Sequence, residues 1–134
     1  MESSEVNKMR YTIHDHIALK AGPHHDLRLQ MPNDTVRSFA VPKGVPKITG
    51  VKRLAIEGPI HKLEDLDFEG EIEEGYGKGV MSITSQGTLA LHYVSPKKLS
   101  LTLMEDEVEG GFQGSYILIE APFGRNNNWL IMRR

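Results

Sequence analysis

The sequence predicts a mainly β, single-domain antiparallel β-barrel of about eight strands with little helix. Three observations predict it. Short runs rich in β-branched and aromatic residues recur along the chain, polar turn residues separate them, and apolar side chains alternate in steps of two, not 3.6. A single domain over residues 1–134 suits the composition, since 39% hydrophobic and 25% charged residues supply one core, and no cysteine is present to staple it.

The elements follow in order. Met1 to Lys8 is polar and reads as a flexible N-terminus. Tyr11 to His14 is the first β-rich run, and Ala21-Gly22-Pro23 turns the chain. From His25 to Met31 the alternation puts Leu27, Leu29 and Met31 on one face and Asp26, Arg28 and Gln30 on the other, which His24 joins. Pro32-Asn33-Asp34 turns into Thr35 to Val41. Val51 to Glu57 then sets Arg53, Ala55 and Glu57 opposite Leu54 and Ile56. Helix is at most local, around Lys62 to Asp67. Gly79 to Ser85 and Thr88 to Val94 read as two strands parted by a Ser85-Gln86-Gly87 turn, and Ser95-Pro96 turns into Leu99 to Met104. Ser115 to Glu120, a Gly124-Arg125-Asn126 turn and Trp129 to Met132 complete the set. Trp129, Tyr93 and Phe112 are assigned to the core.

Charge is polarised along the chain. Met1 to Arg53 carries nine Lys/Arg against five Asp/Glu, a balance of +4, whereas Leu54 to Arg134 carries seven against thirteen, a balance of −6. A local basic site on an acidic body suits a partner presenting a few phosphates more than a long duplex. No stretch approaches the ~18 apolar residues of a spanning helix, and Met1 to Arg10 lacks the apolar core of a signal peptide, so a cytoplasmic location is expected.

Several side chains in the first half can carry chemistry. His24 and Asp26 leave the same strand face about 6.5 Å apart at the backbone, close enough to converge on one ion. His16, across the Ala21-Gly22-Pro23 turn, can supply a third ligand from the neighbouring strand. Two imidazoles and a carboxylate leave coordination positions open for water and substrate, a catalytic layout that suits manganese and also zinc, iron, cobalt or nickel. The same residues also fit a solvated strand face, with Asp26 and Arg28 as a plain ion pair. His14 shares a face with His16 in an extended chain and is a supporting candidate, while His25 points away from His24.

Arg28, Lys43 in Val41-Pro42-Lys43-Gly44, and Arg53 are candidates for a phosphate clamp, because guanidinium presents a planar fork to two oxygens and ammonium a point charge. His61, after the Gly58-Pro59 turn, can donate a proton or hold a phosphate. The seven carboxylates between Glu64 and Glu74 read as a solvated face, and His92 receives no role.

Taken together in this order, His16-x-Ala18, Ala21-Gly22-Pro23-His24-His25-Asp26-Leu27-Arg28-Leu29, Phe39-Ala40-Val41-Pro42-Lys43-Gly44, Lys52-Arg53-Leu54-Ala55, and His61 with Phe68-Glu69-Gly70 resemble the 3'-phosphoesterase family. That family comprises the N-terminal nuclease module of bacterial DNA ligase D and free-standing archaeal and bacterial homologues. The resemblance runs from about Tyr11 to Gly79 and returns at Trp129-Leu130-Ile131. It implies a β-barrel enzyme, manganese-dependent, with Co2+ or Zn2+ as other candidate metals, that trims 3' ends of DNA or RNA. The implied activities remove a 3'-terminal ribonucleoside to leave a 3'-phosphate, then remove that phosphate to leave a 3'-OH for repair synthesis or ligation in non-homologous end joining.

Carried over residue by residue, the resemblance makes His16, His24 and Asp26 the metal ligands. Arg28 and Arg53 become phosphate-contacting arginines, His61 the catalytic histidine, and Lys43 the lysine of the Pro-Lys-Gly block. Its partners would be 3' ends bearing a ribonucleotide or phosphate, and a repair ligase or polymerase acting in trans on a monomer, with no membrane. This chain departs from the ligase D module in three places. The His16 to His24 spacing is two residues longer, Asp65 stands where the module has a tyrosine, and the Glu73 to Gly77 loop is a residue short. These departures bear on the balance of diesterase and monoesterase activity. Two other readings remain from the residues: a catalytically weakened end-binding module that recruits a ligase or polymerase, and a barrel gripping an anionic metabolite.

Overall fold

The computed structural model describes residues 9–106, 110–124 and 126–134; the expected flexible N-terminus, residues 1–8, lies outside the described residues, as does Arg125 of the last turn. Nine strands form: β1 (Met9–Ala18), β2 (Gly22–Gln30), β3 (Val36–Val41), β4 (Lys52–Glu57), β5 (Gly70–Ile72), β6 (Gly79–Ser95), β7 (Lys98–Glu105), β8 (Gly114–Glu120) and β9 (Asn128–Arg133). A 3-10 turn, Leu63–Asp67, is the only helical element among the described residues and falls where local helix is expected. All pairings are antiparallel. The order β1-β2-β3-β4-β9-β8-β7-β6 closes through a β1–β6 ladder into an eight-stranded barrel, and β5 adds to β6 outside the closure.

Strand alternation decides what fills the barrel. The odd positions Tyr11, Ile13, Leu27, Leu29 and Phe39 point inward to join Leu101, Leu103, Tyr116, Trp129 and Ile131 in one core cluster. Ala55 is fully buried and Leu54 is 37% exposed, so the inward face of β4 is the one that carries Arg53. Tyr11 and Tyr116 are wholly buried with their hydroxyls bonded, to Ser85 Oγ at 2.8 Å and to the Phe112 carbonyl at 2.8 Å. Trp129 and Phe112 lie in the core as expected, whereas Tyr93 is 53% exposed on the barrel wall. Its polar handle and its place near the end of β6 make exposure inexpensive.

The expected turn at Ser85-Gln86-Gly87 is absent. β6 runs unbroken through it for 17 residues, and Gly87 pairs with both Tyr11 and Glu105. The glycine serves packing, not reversal, since a Cβ there would lie 2.0 Å from the Met104 carbonyl oxygen. Just before it the β1–β6 register slips, Ile13 pairing with Ser85 and His14 with Ile83, a bulge that passes over Thr84.

The outer face of β1 is covered. The segment from Gly58 to Lys78, containing the 63–67 turn and β5, crosses it and is fastened there by alternate side chains of β1. Arg10 pairs with Asp67 at 2.6 Å, Thr12 Oγ1 donates to the Leu66 carbonyl at 2.7 Å, His14 Nε2 meets the Phe68 carbonyl at 2.8 Å, and His16 Nε2 the Gly77 carbonyl at 2.8 Å. Thr12 and His14 are consequently fully buried although they point away from the core. Asp67 and Glu69 of the acidic run are engaged as well, Glu69 accepting from the Ile83 amide at 2.8 Å.

Candidate metal and phosphate site

Between this cover and the outer faces of β1 and β2 lies the polar row. Cross-strand pairing sets His16 directly opposite His24 and His14 opposite Asp26. His16, His24 and Asp26 each bring one ligand atom to a common point, all within 4.8 Å of one another. Asp26 Oδ2 lies 2.8 Å from His16 Nδ1, and Asp26 Oδ1 lies 3.1 Å from His24 Nε2. The two rings stand 4.6 Å apart, centroid to centroid.

The far nitrogens decide what this cluster can hold. His16 Nε2 faces the Gly77 carbonyl at 2.8 Å and His24 Nδ1 faces the Gly22 carbonyl at 3.0 Å. A carbonyl only accepts, so each of these nitrogens carries the proton. A neutral ring then aims a bare lone pair, from His16 Nδ1 and His24 Nε2, at an ionised carboxylate. That contact requires either a second proton on each of two adjacent rings or a cation among the three groups. Two nitrogen donors and one carboxylate oxygen, with outer nitrogens pinned by main-chain carbonyls, fit a divalent metal of the manganese-to-zinc series. Gly22, at φ +79°, takes the left-handed conformation that aims its carbonyl at His24.

Electrostatics agree with the geometry. Hydrogen bonding to Asp26 pushes the His24 imidazole above its ordinary value. Burial alone would push the Asp26 carboxyl up, but His24, Arg28 and His16 outweigh it and hold the group below the usual carboxylate range. His14 is driven the other way by burial and stays neutral: Nε2 donates to the Phe68 carbonyl, and Nδ1 accepts from Arg28 Nε at 3.2 Å.

Arg28 is the most distinctive group beside the cluster. Its Nε is held by His14, its Nη2 lies 3.8 Å from Asp26, and its Nη1 is buried with no hydrogen-bond partner among the described residues. A buried unpaired donor on a guanidinium is costly unless an acceptor arrives, and the oxygens of a phosphoryl group are the natural acceptor. On its other side Arg28 acts on Asp65, which lies 3.2 Å from His61 Nδ1. His61 is itself pinned through its backbone by a two-way bridge with Val36.

Lys43 and Arg53 stand apart from this row, at the barrel mouth with the inward-pointing His25. Arg53 Nη1 donates to the carbonyls of Lys43 at 2.8 Å and Gly44 at 3.0 Å, so it clamps the 42–44 turn. His25, its Nδ1 accepting from the Val45 amide at 2.9 Å and held neutral by burial, braces the same turn from below. Lys43 lines a shallow cleft together with His24 and Asp15, which joins the mouth to the candidate ligand cluster around the rim. His16, His24, Asp26 and Arg28 thus share one outward face. Sequence reasoning missed the carbonyls of Gly22 and Gly77 and the enclosure of His14. The signal available was the row Arg10, Thr12, His14, His16, polar at every second position of β1.

The comparisons with known proteins give the family. The family model described as DNA Ligase D 3'-phosphoesterase domain matches residues 14–119. The chain is 34% identical over 139 residues to the multifunctional non-homologous end joining protein LigD of Mycolicibacterium smegmatis, covering 95% of this chain and 17% of that protein. It is 40% identical over 80 residues to the LigD of Pseudomonas aeruginosa, covering 59% and 9%, and 34% identical over 124 residues to that of Mycobacterium tuberculosis, covering 92% and 16%. The chain therefore spans a small fraction of the length of these relatives. With the barrel and its outward polar row in place, the match over residues 14–119 assigns the chain to the DNA Ligase D 3'-phosphoesterase domain family.

Proposed function

We propose that this domain is a manganese-dependent hydrolase that processes 3' ends of DNA or RNA for end joining. The observation that carries the reading is the juxtaposition of two carbonyl-pinned imidazoles and the Asp26 carboxylate with Arg28, whose Nη1 is buried and unpartnered. His16 Nδ1, His24 Nε2 and an Asp26 oxygen would hold the ion. Mn2+ bound there supplies Lewis acidity toward a phosphoryl oxygen and toward water, and Co2+ or Zn2+ suits the same donors.

The chain's own residues do the rest. Arg28 takes a nonbridging oxygen through Nη1 and offsets the charge that develops on the phosphoryl group. Lys43 adds a cation from the rim, and Arg53 sets the turn that presents it. In the diesterase reaction, water bonds to phosphorus, the bond to the 5'-oxygen of the terminal ribonucleoside breaks, and His61 gives that oxygen its proton. In the monoesterase reaction, a second water bonds to phosphorus, the bond to the 3'-oxygen breaks, His61 gives that oxygen its proton, and inorganic phosphate departs to leave a 3'-OH. A ligase or polymerase working on the same ends would use that hydroxyl. We place the domain in the cytoplasm, acting as a monomer; among the described residues no helix is long and apolar enough to cross a membrane.

The test is incubation with Mn2+ and a primer-template bearing one 3'-terminal ribonucleotide, beside a 3'-phosphate primer and a His24→Ala control. The reading expects stepwise conversion to 3'-phosphate and then 3'-OH, lost in the variant. No conversion with Mn2+, Co2+ or Zn2+ would overturn it, and end binding without turnover would leave only a recruiting module.

A further inference from the structure

His61 lies in a loop, yet both its backbone and its ring are anchored. Its backbone is fixed to β3 by a donated bond to the Val36 carbonyl at 2.8 Å and an accepted bond from the Val36 amide at 3.0 Å. Its Nδ1 lies 3.2 Å from Asp65 Oδ2. The carboxylate is fixed in turn, because Asp65 sits within the 63–67 turn and accepts from the Lys62 amide at 3.1 Å. Burial alone would push the Asp65 carboxyl up. The Lys62 amide, His61 and the Arg28 charge outweigh it, so Asp65 is an anion across the neutral range.

An anionic oxygen can only accept, so the proton between the two groups belongs to Nδ1 of His61. Nε2, which makes no hydrogen bond among the described residues, is the nitrogen free to exchange a proton. The charge that bears on this pair from outside is that of Arg28 on β2, while the Lys62 amide and the Val36 backbone fix its two halves. The Arg28 charge and the His61 imidazole therefore both act on one carboxylate, and Arg28 Nη1 has no hydrogen-bond partner among the described residues.

We infer that Asp65 is a positioning residue for His61: its carboxylate fixes the imidazole by Nδ1 and offsets the charge the ring carries while Nε2 holds the proton for the leaving oxygen. This rests on the function proposed above. It also gives Asp65 a role of its own: a charged partner for the proton donor.

Two readouts test it on the full chain. In metal-free, 15N-histidine-labelled protein, with His61 assigned through His61→Gln, long-range proton–nitrogen spectra report which ring nitrogen carries the proton. The expected result is the Nδ1–H form at His61 in the unsubstituted protein. In Asp65→Asn, which is isosteric and retains an acceptor for the Lys62 amide, that form should lose its preference. Turnover of the 3'-ribonucleotide primer should fall about tenfold or more in kcat, part of the 10²–10⁴ that a proton donor contributes. KM, Mn2+ affinity and melting temperature should stay at their unsubstituted values. An Nε2–H form in the unsubstituted protein, or unchanged kcat in Asp65→Asn, would overturn the inference. Absence of turnover in the unsubstituted protein would remove the function proposed above and this role with it, a failure distinguishable because the spectra would still show the pair formed.

Discussion

Asp26→Asn separates the two duties of the central carboxylate. Asn has nearly the same shape, so no cavity opens, but Asp26 and Arg28 are each only 7% exposed and the guanidinium loses its nearest counter-charge. Removing one partner of a buried pair costs about 3–5 kcal/mol. The 3.8 Å separation of Arg28 Nη2 from Asp26 favours the lower end, about 3 kcal/mol. For a domain of 134 residues that lowers the melting temperature by about 10 °C. The second duty appears on adding metal. At Mn2+ a hundredfold above its dissociation constant, the unsubstituted protein gains about 2.7 kcal/mol, because the ion binds only the folded state. Asn offers no anionic oxygen to the ion, so the variant gains almost none of it. Urea unfolding of both proteins, with Mn2+ and with chelator, reads the two effects separately. A full Mn2+-dependent gain in Asp26→Asn would refute the metal assignment, and unchanged stability in chelator would refute the ion-pair argument.

Three further outcomes follow from the packing and charges. Arg28→Lys replaces a fork by a point charge that cannot keep both the His14 bond and a phosphoryl contact, so turnover should fall about a hundredfold with Mn2+ affinity within a few-fold; steady-state kinetics with unchanged kcat would disprove it. Gly87→Ala drives a Cβ toward the Met104 carbonyl oxygen, 2.0 Å away, and should cost more than about 2 kcal/mol in urea unfolding, a near-neutral result counting against the close approach. Fully buried His14 titrates below its ordinary value of about 6.5, so the folded protein binds fewer protons than the unfolded chain. Stability is complete above about 6.5 and falls as pH drops through it, with a slope of up to about 1.4 kcal/mol per pH unit. His25 adds the same sign, whereas raised His24 acts above about 6.5, where stability falls as pH rises. Metal-free unfolding at pH 6.5, 6.0 and 5.5 checks this, and a flat profile would refute it.

The barrel was legible because its interior obeys a period of two. Leu27 and Leu29 declared the inward face of β2, and the same alternation placed His24, Asp26 and Arg28 together outside it. Gly87 misled because a glycine needed for close backbone approach leaves the same mark in a sequence as one needed for a turn. The alternation of β4 is plain in the sequence, but that Arg53 also holds the Lys43–Gly44 turn is not, since only the closed barrel brings that carbonyl pair within its reach. The cover over β1 was the least legible part. Glu64 to Glu74 has the composition of a solvated run, yet Asp67 and Glu69 together with the Leu66 and Phe68 carbonyls tie it down, and the carbonyl half of that fastening no side-chain pattern advertises.

β6 belongs to two structures at once. Its Gly79–Met81 stretch is barrel wall on the β1 side and partner to β5 on the other, and the Leu19 amide donates to the Lys78 carbonyl just before that ladder begins. Gly77, whose carbonyl orients His16, therefore sits two residues upstream of a fixed hydrogen-bond register. Insertions or deletions in the β5–β6 connection can be absorbed ahead of Gly75 without disturbing His16, while a residue gained or lost between Gly75, whose carbonyl accepts from the Lys78 amide, and Gly79 would shift the Gly77 carbonyl off the imidazole. Length variation in this loop is thus sorted by position: one half is free to diversify around the site, and the other is locked to the geometry of the His16, His24 and Asp26 cluster.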